Sequence, residues 1–175
     1  MAATVVVKQA TGSGPTLTTI TNLRWKSADD PSGTDTTYPL VKPSAGNNYS
    51  YVAWVLLSAS TSPAGTINNV KFFSDGVDSA AFTGIWDGVK GITTATYAQA
   101  TGTPGTSGDL SASVYTSGAG IGSWTTGSPL SVTGSITNPS TGTISDYVAT
   151  QVRLGTTAVA GTVATETLTW RYDET

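Results

Sequence analysis

The chain contains no histidine and no cysteine. Without histidine it cannot build a Ser-His-Asp or Cys-His triad, and it lacks the side chain that most often moves protons near neutral pH. Without either residue the usual nitrogen and sulfur ligand sets for zinc are gone. The absence of cysteine also excludes disulfides and thiolate chemistry. Charge is scarce as well. Asp, Glu, Lys and Arg make up 11% of the residues, less than half of the usual share of about 25%. The eight basic residues are Lys8, Arg24, Lys26, Lys42, Lys71, Lys90, Arg153 and Arg171, and the net charge is −3. Neutralising phosphates needs clustered cations, and Arg24 with Lys26 is the one local grouping. A nucleic-acid partner and an anionic membrane are therefore not expected, nor is a basic arm for packing a genome. No apolar run approaches the roughly 18 residues of a membrane span. The start, Met-Ala-Ala-Thr-Val-Val-Val-Lys, does not read as a charged segment followed by an apolar one, so no secretory signal is expected there.

Hydroxyls and small residues fill the space that charges leave. The 175 residues include 33 Thr, 20 Ser and 20 Gly, and 38% are hydrophobic. That is enough apolar surface for a folded core without staples, and the length suits one domain over residues 1–175. Threonine favours pleated, half-exposed strands through its branched Cβ, while good helix formers are few. Such a surface is typical of external proteins, yet no export signal is read. A virion protein made in the host cytoplasm and exposed after lysis meets both conditions; a removed signal or another export route is the alternative.

Alternation of apolar and polar residues between turn signals predicts about eight or nine strands. They fall at Thr4–Gln9, Leu17–Lys26, Tyr49–Ser60, Ile67–Ser74, Ile92–Ala100, Leu110–Tyr115, Leu130–Thr137, Ile144–Leu154 and Thr165–Tyr172. Thr36–Val41 carries Pro39 and is an edge segment at best. Tyr49–Ser60 is apolar on both faces, the mark of a strand buried on both sides. In the last strand Leu168, Trp170 and Tyr172 point inward and Arg171 outward. The expected class is all-β, an antiparallel β-sandwich of jelly-roll or Ig-like type. Residues 1–15 are a candidate N-terminal arm. Val77–Gly91 fits either a loop or a helical turn.

No catalytic constellation stands out, and the chain is not expected to be an enzyme. Paired-carboxylate glycosidase chemistry needs only Asp and Glu, but most aspartates sit in turns, where they bond their own backbone. Calcium has a weak case: Asp29, Asp30 and Asp35 share one loop, and Asp75, Asp78 and Asp87 lie close in sequence. Neither set has EF-hand spacing. Gly118-Ala119-Gly120-Ile121-Gly122 lacks the Lys-Ser/Thr of a phosphate loop. No cofactor is implied. Trp25, Trp54 and Trp170 lie in alternating strands and belong to the core. Trp86 and Trp124 lie in Gly-, Ser- and Thr-rich stretches, where an exposed indole can stack on a sugar or anchor an interface; plugging the end of the sandwich is the alternative. Val5, Val6 and Val7 form a run suited to adding a strand to another sheet.

Three segments carry a resemblance. They are Val5-Val6-Val7-Lys8-Gln9 leading through Gly12-Ser13-Gly14-Pro15 to Asn22-Leu23-Arg24-Trp25, then Ile144-Ser145-Asp146-Tyr147-Val148, and the ending Glu166-Thr167-Leu168-Thr169-Trp170-Arg171-Tyr172-Asp173-Glu174. Together they resemble small β-sandwich structural proteins of tailed bacteriophages. The resemblance implies a virion component, a decoration or cement protein on the particle surface whose partners are the major capsid protein or other virion subunits, and a homo-oligomer in the assembly. It carries over no catalytic or ligand residue. Two other readings stay open: a carbohydrate-binding or adhesin-type module using Trp86 and Trp124, and a self-assembling filament or tail-tube subunit using the valine run.

Overall fold

A computed structural model describes residues 2–32, 36–76, 86–102, 114–158 and 166–175, with the backbone alone at 86 and 87. The chain is an all-β sandwich of two antiparallel sheets. Its strands are β1 (Val5–Thr11), β2 (Thr16–Thr19), β3 (Asn47–Tyr49), β4 (Ala53–Ala59), β5 (Thr66–Ser74), β6 (Trp86–Thr94), β7 (Ala119–Gly120), β8 (Leu130–Ser131), β9 (Ile136–Thr137), β10 (Gly142–Thr143), β11 (Tyr147–Gly155) and β12 (Leu168–Glu174). One helical turn, α1 (Val114–Ser117), precedes β7.

The large sheet runs β2-β1-β4-β11-β6-β7, with β10 alongside β4 and β3 alongside β11; the small sheet runs β12-β5-β8, with β9 alongside β5. β4 is buried along its whole length, as its two apolar faces require. Val55, Leu57 and Ala59 point to the small sheet and pack with Ile67, Val70 and Phe72 of β5, Val89 of β6, and Val148 and Val152 of β11. Trp54 points the other way and packs with Val52, Ala10, Ala149 and Val114. The large sheet thus has apolar clusters on both faces. Leu168, Trp170 and Tyr172 of β12 pack on the main core while Arg171 is exposed, as the alternation predicts.

Several expected strands end early or divide. Leu17–Lys26 is laddered only over β2; beyond it the chain leaves the sheet, and Trp25 is held by its indole N–H donating to Thr150 Oγ1 at 3.0 Å. Lys26, which alternation places outward, is 3% exposed, with its ammonium 4.0 Å from Asp30 and over the Tyr38 ring. Tyr49–Ser60 divides because Ser50 leaves the ladder. Its hydroxyl accepts the Val152 amide at 3.0 Å and its carbonyl accepts the Gln151 side chain at 3.0 Å. Leu130–Thr137 divides into β8 and β9 around Gly134, whose φ is +146°. The strand expected over Leu110–Tyr115 ends instead in α1, and its residues 110–113 lie outside the described ones. Thr36–Val41 joins no ladder among the described residues. The candidate arm at 1–15 contains β1, which pairs with β2 on one side and β4 on the other, so most of it lies inside the sheet.

Candidate functional site

Trp124 is the clearest correction. Placed among glycines and hydroxyls it reads as an exposed platform, yet it is 7% exposed and belongs to the main core. A 3-10 turn at Ile121–Ser123 leads into it, and its carbonyl accepts the Ser74 amide at 2.8 Å. Its ring meets Phe72 edge-on at 6.0 Å. Gly91 of β6 makes the space: a Cβ there would lie 3.0 Å from the Trp124 ring and 2.7 Å from the Ala149 carbonyl. No sugar can stack on Trp124 in this fold. Trp86 opens β6 opposite Leu154; its side chain lies outside the described residues.

The acidic candidates do not converge. Asp29 Oδ2 accepts the Gly12 amide at 2.9 Å and the Gln99 amide group at 3.3 Å. Asp30 Oδ1 accepts the backbone and hydroxyl of Ser32 at 2.8 and 2.9 Å. Both thus fasten loops, the ordinary role of turn carboxylates. Asp75 lies just past β5, and Asp35 and Asp78 fall outside the described residues, as does the Asp87 side chain. Among the described residues no three acidic side chains are placed to hold a metal ion.

The valine run is engaged within its own sheet. Val5, Val6 and Val7 pair with Ala59, Ser58 and Leu57 of β4, and Val5 and Val7 pack on the main core. Donating this strand to another subunit would first require removing it from β4.

Two features carry no signal in local sequence patterning. One is an aromatic group on the outer face of the large sheet. Trp54 meets Tyr97 and Tyr147 edge-on at 5.3 and 5.9 Å, and the two tyrosines are 5.9 Å apart. The Tyr97 hydroxyl donates to the Gly12 carbonyl at 2.9 Å. Burial, followed by the neighbouring Asp29 carboxylate and Tyr147, holds its pKa well above the ordinary phenol value; burial also raises that of Tyr147. The Trp54 indole N–H finds no acceptor among the described residues. The other is an open cleft of about 250 Å³ lined by Thr18 to Asn22, Arg24, Pro31 and Ser32. It is hydroxyl-rich and small beside the roughly 300–1,000 Å³ of ordinary ligand pockets.

The sheet edges differ in length. The large sheet ends in β2, of four residues, and β7, of two; on one side of β5 the small sheet ends in β8 and β9, of two residues each. On the other side it ends in β12, of seven residues, which pairs with no strand but β5 among the described residues. Short edges are a common protection against unwanted pairing, and a long one is a template for it. Tyr97, Gly91 and the edge status of β12 become visible only when the strands are assembled. No family model, no curated protein and no solved structure matches this chain.

Proposed function

We propose that this chain is a structural subunit that acts by contact with other protein subunits, and that its setting is the outer surface of a virus particle, as a decoration or cement protein. The observation that supports an assembly role is the seven-residue edge of β12, which pairs with no strand but β5 among the described residues. The described side chains that suggested ligand chemistry serve the fold: Asp29 and Asp30 fasten loops and Trp124 fills the core. Hydroxyl-bearing and small side chains lose little conformational entropy when a surface is covered, which lowers the cost of association. The particle setting draws on the composition and on the resemblance of the three sequence segments.

The test is to locate the protein. Mass spectrometry of purified particles, followed by electron cryo-microscopy of intact ones, should find it in many regular copies on the shell. Absence from particles overturns this reading. The half-buried Tyr97 and Tyr147, beside Asp29 and Gln99, would then be the first surface to test against sugars.

A further inference from the structure

β12 runs as one strand from Leu168 to Glu174 despite a break in its ladder with β5. Arg171 faces Lys71 and Asp173 faces Asn68, so two steps along β12 correspond to three along β5. The additional residue therefore belongs to β5, where Asn69 has a φ of +50° and its side-chain amide donates to Asp173 Oδ2 at 2.7 Å. The additional residue lies in β5, and β12 continues as strand through Glu174. A bulge in the edge strand itself would have twisted it away from a partner.

We propose that β12 pairs antiparallel with β12 of a second copy of this chain, joining two small sheets across a two-fold axis at Tyr172. Outward residues of one strand meet outward residues of the other in any such two-fold register, since side chains alternate with period two. The exposed outward residues include Arg171 and Asp173, of opposite charge and two positions apart. With the axis at Tyr172, each Arg171 lies opposite the partner's Asp173, giving two ion pairs. An axis at Arg171 sets guanidinium against guanidinium, one at Asp173 sets carboxylate against carboxylate, and one at Trp170 leaves Arg171 opposite threonine. Charge thus selects one register, because opposite charges in facing positions favour a strand pair and like charges oppose it. The same register brings the two Tyr172 rings together beside the main core, against which Tyr172 already packs. Arg171 now stacks over Phe73 at 5.7 Å, and among the described residues no carboxylate pairs with it. A closed two-fold contact covers the β12 edge of both copies. The inference deepens the assembly reading by naming the first partner, and it stands on β12 rather than on the particle setting.

Sedimentation equilibrium of the purified chain, up to on the order of 0.1 mM, covers the range of ordinary specific interfaces. The expected mass is that of two chains. Arg171→Asp and Asp173→Arg each replace two attractive pairs by two repulsive ones and should weaken the dimer about tenfold or more. The double exchange, Arg171→Asp with Asp173→Arg, should restore it. Circular dichroism melting of each variant keeps a folding defect apart from a loss of pairing. A mass of one chain throughout, or a dimer indifferent to the single reversals or not restored by the exchange, overturns the proposal. A monomer found on particles removes the pairing and keeps the virion reading; a dimer absent from particles does the reverse.

Discussion

At the scale of the residue, Trp124 shows how much depends on what lies across the core. Its ring occupies the space that Gly91 leaves open and leans on Phe72, which in turn meets Trp170 edge-on at 5.0 Å. Truncating a buried indole removes its transfer energy and leaves a cavity. Trp124→Ala is therefore expected to lower the unfolding free energy by about 3–5 kcal/mol, measured by urea denaturation. A change under about 1 kcal/mol would place Trp124 at the surface after all. The surrounding glycines and hydroxyls read as a loop because local composition cannot report contacts with Gly91 and Phe72, which lie on other strands far away in sequence. Trp54 was legible as core because it sits inside an apolar run on both faces; Trp124 was not, having no such run.

At the scale of the element, β12 is anchored by its last residues as well as by its inward side chains. The Glu174 carboxylate accepts the Ala64 amide at 2.9 Å and the Ala3 amide at 3.3 Å, and Thr175 exchanges two backbone bonds with Thr66 at 2.7 and 2.9 Å. One side chain thereby joins β12 to the segment before β1 and to the turn before β5. Glu174→Ala leaves these amides without their carboxylate acceptor. The partly exposed setting limits the loss to about 1 kcal/mol. Hydrogen exchange should show the Ala3 and Ala64 amides losing protection more than the amides of β4, and equal protection in both proteins would remove this role. The inward pattern of β12 was legible from its alternation. Its place at the edge was not, because period two fixes which face a residue takes and says nothing about which strand lies alongside.

At the scale of the whole molecule, pH reaches the fold through a few buried groups. Burial lowers the Lys26 pKa below its ordinary 10.5, against the opposing pull of Asp30. Its folded state binds protons less tightly than the unfolded chain, so stability rises as pH climbs toward 10.5. Burial raises Tyr97 and Tyr147 above their ordinary 10.0. Their contribution is fully present below pH 10 and is lost as the unfolded chain ionises above it. Thermal melts should therefore show stability falling as pH rises beyond 10. Tyr97→Phe loses the bond to Gly12 and lowers stability throughout, but it should flatten the alkaline fall. An alkaline slope unchanged by Tyr97→Phe and Tyr147→Phe would show that other groups drive it.

The residues by themselves determined the class of this protein. Threonine abundance, alternation and frequent turn signals leave little but an antiparallel sandwich, and the missing histidine and cysteine remove whole families of chemistry before any fold is known. They also determined β4, whose two apolar faces require cover on both sides. Tertiary structure decided what local patterns cannot encode: the burial of Trp124 opposite Gly91, the meeting of Trp54 with Tyr97 and Tyr147, the enclosure of Lys26, and the position of β12 at an edge. Each depends on contacts between segments far apart in sequence, and a pattern of period two is the same whichever neighbours a strand acquires.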